Sequence, residues 1–123
     1  MTQEAAVRAA VAADTDWMQA FLAQLVRTPS VNPKFEADPA LNREAEVQNI
    51  LEEELRALGF ATSRQEPLPG RPNLIGLWPG GQANSLALCG HVDVVPVGDA
   101  AVWVHAPFGA EVADGRMYGL SLI

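Results

Sequence analysis

Two stretches in the first half of the chain carry apolar residues at helical spacing, and the second half switches to short runs that are apolar throughout. Trp17, Met18, Phe21, Leu22, Leu25 and Val26 recur every three or four positions, the spacing that gathers side chains on one face of an α-helix. Asp14, Thr15 and Asp16 supply capping chemistry at its start, and Thr28-Pro29 stops it. A loop with two prolines, SVNPKFEADP, follows, and its closing Asp38-Pro39 reads as the N-cap and first position of a second helix. Val47, Ile50, Leu51, Leu55 and Leu58 line one face of that helix, and Gly59 falls where a left-handed residue would end it.

Beyond Gly59 the period changes. Residues 60–66 suit a short strand, PLPGRP is a turn-rich connector, and NLIGLW is an apolar strand closed by Pro79-Gly80-Gly81. SLALCG, residues 85–90, predicts another strand. Runs this uniformly apolar imply cover on both faces, which is more the habit of α/β sheets than of half-solvated antiparallel ones. Asp114-Gly115, between two short extended pieces, signals a hairpin. With no repeats, low-complexity tracts or linkers, residues 1–123 read as one α/β unit.

Composition narrows the classes open to such a unit. At 123 residues, 49% hydrophobic and 19% charged, the chain is of ordinary globular make-up, long enough to bury roughly two-thirds of its unfolded surface. A formal charge of -7 with eight scattered basic residues excludes nucleic acid and anionic membrane surfaces as expected partners, since both need clustered Lys and Arg. The run Glu52-Glu53-Glu54 is expected on a solvated helix face. The lone Cys89 can form no intramolecular disulfide and no thiolate metal cluster, and it is expected to pack as a small buried hydrophobe. The N-terminus has no basic region followed by a continuous apolar one, and no apolar run reaches membrane-spanning length. A cytoplasmic location is expected.

The chemistry concentrates in LALCGHVDVVPVGD, residues 86–99, where an apolar run ends in Gly90 and is followed by His91 and Asp93. On an extended backbone residues two apart share a face, and ligands of open α/β sheets gather at the carboxyl ends of strands. An imidazole is the commonest metal ligand and binds best when its second ring nitrogen is held by a carboxylate or carbonyl. Asp93 offers that carboxylate. The spacing alone leaves a second reading open, in which His91 and Asp93 only hydrogen-bond local backbone at a strand-to-loop junction.

The wider context carries a resemblance. CGHVDVVPVGD, then Trp103, then PFGAEVADGRMYG from Pro107 to Gly119, resembles the N-terminal metal-binding segment of the M20 family of zinc-dependent amidohydrolases and peptidases. LVRTPSVNP, LRALGF and RPNLIGLWPGG upstream are similar to the segments that precede that motif in the deacetylase and desuccinylase branch. The resemblance covers nearly the whole chain. It implies the N-terminal part of a three-layer α/β/α zinc-hydrolase catalytic domain, occupying 1–123, with the rest of that domain and a lid or dimerisation domain absent. It implies a site for two Zn²⁺, with Co²⁺ as an alternative occupant, a small N-acyl amino acid or peptide as substrate, and a homodimer for the intact relative. His91 then matches a histidine that ligates one metal, and Asp93 matches the aspartate that orients it and tunes the site. Trp103, Pro107, Phe108, Asp114, Gly115, Tyr118 and Gly119 match positions that look structural. His105 lies where the family carries no ligand and is expected to be a surface loop histidine.

The chain also departs from the pattern. In the family a G-x-x-D-M-K-G-type segment with a metal-bridging aspartate follows the Tyr-Gly pair, whereas Tyr118-Gly119 is followed here by LSLI. The later pair of glutamates is missing too. The run at 52–54 is not that pair, because it precedes the metal histidine and lies on a helix. The expected reading is a fragment, by truncation, of an amide hydrolase of the deacetylase or desuccinylase type, inactive by itself. A carboxypeptidase-like fragment is the nearest alternative, and a non-catalytic interaction domain derived from the same fold is a further one.

Overall fold

The computed structural model describes residues 2–81 and 85–120. Three helices, α1 (Gln3–Ala13), α2 (Thr15–Val26) and α3 (Glu44–Ala57), precede two hairpins, β1 (Ala61–Leu68) with β2 (Arg71–Leu77) and β3 (Glu111–Ala113) with β4 (Arg116–Tyr118). Each hairpin is a separate two-stranded antiparallel sheet. The mixture of helices and strands is as expected, but the NLIGLW run is a correction: it lies in an antiparallel hairpin with Ile75 and Leu77 43% and 66% exposed, not covered on both faces, because β1 is its one strand neighbour among the described residues.

α1 is an addition to the expected elements. Six of its eleven residues are alanine, the best helix former, and the Thr2 hydroxyl caps it by accepting from the Ala5 N–H at 3.2 Å. None of its residues is buried. α2 keeps the expected bounds and buries Ala23 and Val26 against Ala110, with Met117 of β4 completing the cluster.

α3 begins later than Asp38-Pro39 suggests, because those residues are used in a turn. The Asp38 carboxylate accepts from the Ala40 N–H at 2.9 Å, and Leu41 and Asn42 are drawn onto the 30–31 segment, Val31 N–H donating to the Leu41 carbonyl at 2.8 Å. The far end is as expected: Gly59 has φ +92, and a side chain there would press on the Trp78 ring. α3 lies across β1 and β2, with Val47 1% exposed.

The acidic run is a correction at Glu52 alone, since Glu53 is exposed and Glu54 partly so. Glu52 is buried rather than solvated, because it turns toward β1, where the Thr62 hydroxyl donates to it at 2.9 Å and Arg56 and Arg64 pair with it at 2.6 and 2.5 Å. The Thr62 hydrogen bond is the largest influence on its carboxyl; with the two guanidinium groups it outweighs desolvation and holds the carboxyl below the ordinary range.

The segment 85–90 is the second departure. It forms no strand, Leu86 and Leu88 stand 85% and 89% exposed, and Cys89 is exposed rather than buried. A buried strand needs neighbours on both edges and both faces, and none of the described residues supplies them. The same shortage is visible in the whole surface: the chain exposes 8998 Å², against about 6,400 Å² for a compact chain of this mass. The core that the chain length permits is therefore only partly built.

The hairpin at 114–115 is as expected. Asp114 and Gly115 have φ 51 and 73, the pair of left-handed residues of a type I′ turn. Gly119, just beyond, lies so close to α2 that an added Cβ would meet Val26 Cγ1 at 2.6 Å. Gly119→Ala is expected to destabilise the chain by about 1–3 kcal/mol through overpacking, read as a lower urea midpoint with an unchanged slope.

Candidate metal-ligand site

The GHVD segment is held by the loop that follows α2. Ser30–Asn32 runs parallel to Val92–Val94 through an isolated bridge between Val31 and Val94. Val94 N–H donates to the Ser30 carbonyl at 2.9 Å, Asn32 N–H to the Val94 carbonyl at 3.0 Å, and the Ser30 hydroxyl to the Val92 carbonyl at 2.6 Å. Val31 is fully buried and Val94 nearly so. Beyond that bridge the segment forms no regular strand, and Val94 is buried while His91 is exposed.

His91 and Asp93 come together as their spacing predicts. The imidazole Nδ1 lies 3.2 Å from Asp93 Oδ1 and 3.0 Å from the Asp93 backbone carbonyl oxygen. Both readings of the pair therefore have a share: the ring is fixed by a carboxylate and by local backbone at the same nitrogen. Its Nε2 has no hydrogen-bond partner among the described residues, and the side chain is 69% exposed.

Asp93 is more enclosed, at 28%. Its Oδ2 accepts from the Asn32 side-chain amide at 2.7 Å and lies 3.5 Å from an Arg71 guanidinium nitrogen. Arg71 in turn donates through Nε to both oxygens of the buried Glu44, at 3.1 and 2.9 Å. Burial is the largest single influence on the Asp93 carboxyl and pushes it up. The Asn32 amide, its own backbone N–H, His91 and Arg71 together prevail and hold it below the usual carboxylate range. Asp93 is thus an anion facing an imidazole, the arrangement that keeps the ring proton on Nδ1 and leaves the Nε2 lone pair for a metal.

The residue pattern drew no attention to Asn32, Arg71 or Glu44. Arg71 stood in the PLPGRP connector, and Asn32 in the LVRTPSVNP segment, which entered the reading as a loop and as part of the resemblance but with no role for its asparagine. His105 lies in the loop as expected, partly exposed, but its ring is engaged there. Its side chain is 27% exposed, its Nδ1 lies 2.8 Å from Glu111 Oε2, and its ring stacks on Tyr118 with centroids 3.9 Å apart, because the loop folds back over the β3–β4 hairpin. Trp103 has the structural role expected, donating from Nε1 to the Val97 carbonyl at 3.0 Å.

The donor set fits one metal ligand and its orienting partner, not a complete site. Among the described residues no three His, Cys, Asp or Glu side chains are grouped to hold a metal ion, whereas catalytic zinc normally takes three protein ligands. Nor is any helix of the described residues long and apolar enough to cross a membrane.

Comparison with known proteins bears directly on this segment. No protein-family model matches the chain. Among curated proteins it is 42% identical over 101 residues to the succinyl-diaminopimelate desuccinylase of Cereibacter sphaeroides, covering 81% of this chain and 24% of that protein. The desuccinylases of Rhodospirillum centenum and Ruegeria pomeroyi are 44% identical over 99 residues and 45% over 98, covering 77% and 79% of this chain and 23% of each protein. Over these residues the chain is similar to succinyl-diaminopimelate desuccinylases. This is the branch that the ordered M20-type motifs resemble. The chain spans about a quarter of the length of the curated relatives it matches.

Proposed function

We propose that this chain is the N-terminal part of the catalytic domain of a metal-dependent amide hydrolase acting on N-acyl amino acids, of the desuccinylase type. His91 serves as a ligand to one metal through Nε2, and Asp93 orients it. The observation that carries the reading is the imidazole pinned at Nδ1 by an anionic carboxylate, with Nε2 unengaged. Similarity to named desuccinylases supports the substrate class, a small succinylated or acetylated amino acid. A zinc ion there would act as a Lewis acid on the amide carbonyl. The remaining ligands and the general base would come from sequence equivalent to the other three-quarters of the relatives. The working enzyme would be a cytoplasmic homodimer, and the lone Cys89 suits a reducing compartment.

A chimera tests this. The matching quarter of the Cereibacter sphaeroides enzyme is replaced by this chain, and the product is assayed with succinyl-diaminopimelate in the presence of zinc. Chelator-sensitive release of succinate is the expected result. A chimera that folds and binds metal but releases none would refute the assignment.

A further inference from the structure

We infer that Asn32 is a positioning residue that sets the Asp93 carboxylate and, through it, the tautomer of His91. The inference rests on the reading of His91 as a metal ligand and extends it to a residue that touches neither metal nor substrate. His91 is mostly exposed, so packing does little to fix its ring. Its Nδ1 meets the Asp93 backbone carbonyl at 3.0 Å and the Asp93 carboxylate at 3.2 Å, and the carboxylate is held by a short relay that ends in buried backbone. The Asn32 main chain is tied by its N–H to the Val94 carbonyl, next to the fully buried Val31. Its side-chain oxygen accepts the Lys34 N–H at 2.9 Å, so the amide cannot be reversed without losing that bond and opposing two oxygens at Asp93. The –NH₂ group is thereby committed to Asp93 Oδ2, at 2.7 Å.

With one carboxylate oxygen held, the other is turned to His91 Nδ1. Arg71 stands on the same oxygen as Asn32 but at 3.5 Å, while its short contacts go to Glu44. Asn32 therefore makes the directional contact, and Arg71 adds charge.

The test reads the ring nitrogens of His91 in the uniformly ¹⁵N-labelled 123-residue chain by long-range proton–nitrogen correlation. All variants are compared at one and the same pH. The wild-type chain is expected to hold the proton mainly on Nδ1. In Asn32→Ala the Nδ1–H to Nε2–H ratio is expected to fall by about threefold, the scale of one net hydrogen bond. Asn32→Asp keeps the acceptor for Lys34 but removes the donor, and it should lower the ratio as well. If Asn32→Ala does not fold, Asn32→Asp decides. Asn42→Ala removes bonds to the Val31 and Glu36 carbonyls in the same loop without touching Asp93, and it should leave the ratio unchanged.

An unaltered ratio in a folded Asn32 variant, or no Nδ1–H preference in the wild-type chain, would overturn the inference. So would an equal fall in Asn42→Ala, which would mark the effect as general loosening of the loop. Failure of the metal-ligand reading would appear elsewhere, as undiminished zinc in a His91→Ala chimera, and would leave these ratios as they are.

Discussion

Incubated with zinc or cobalt and any N-succinyl or N-acetyl amino acid, the isolated 123-residue chain is expected to show no turnover that a chelator abolishes. A catalytic zinc takes about three protein ligands and a water, and His91 is the single imidazole of this segment placed to serve as one. His105, the other histidine, has its Nδ1 engaged by Glu111 and its ring covered by Tyr118. A lone exposed imidazole neither retains a metal against water nor places it beside a base. Amide hydrolysis needs both, because the barrier falls only when carbonyl polarisation and proton transfer act on the same bound substrate. Product analysis by mass spectrometry over a day, with and without a chelator, is sufficient. Chelator-sensitive turnover would mean that this segment assembles a site its own residues do not display.

In an active chimera, His91→Ala is expected to remove one equivalent of metal and nearly all activity. The neighbouring substitution separates ligation from orientation. Asp93→Asn keeps the shape of the side chain and can still accept from Asn32. It presents a neutral amide to His91 Nδ1, so the ring loses the charge that favours the Nδ1–H tautomer. Metal affinity or turnover is expected to drop by about 10- to 100-fold with the fold intact. His105→Ala loses the Glu111 contact and the Tyr118 stack, so it is expected to lower thermal stability while leaving metal content unchanged. Elemental analysis and rate together discriminate these outcomes. Full metal loading in His91→Ala would remove GHVD from the site, and metal loss in His105→Ala with a native fold would transfer the role to the other histidine.

The features legible in the sequence are those that depend on a few adjacent residues. The face of α2, the left-handed end of α3 at Gly59 and the turn at Asp114-Gly115 each follow from side-chain spacing or from a backbone conformation that one residue type favours. So does the meeting of His91 and Asp93, because an extended backbone puts residues two apart on one side. Similarity to the desuccinylases was legible as well, since it lies in the order of short motifs. What only the tertiary structure decided involves partners far apart in the chain. Asn32 reaches Asp93 because the parallel bridge between Val31 and Val94 brings the two segments together across 61 positions. Glu52 is buried because β1 folds back to offer Thr62 and Arg64. Residues 85–90, apolar enough to be a core strand, form no strand and remain exposed. Hydrophobicity states that a segment gains by burial, but a strand forms only where neighbouring backbone accepts its N–H groups and neighbouring side chains cover its faces, and the described residues provide neither.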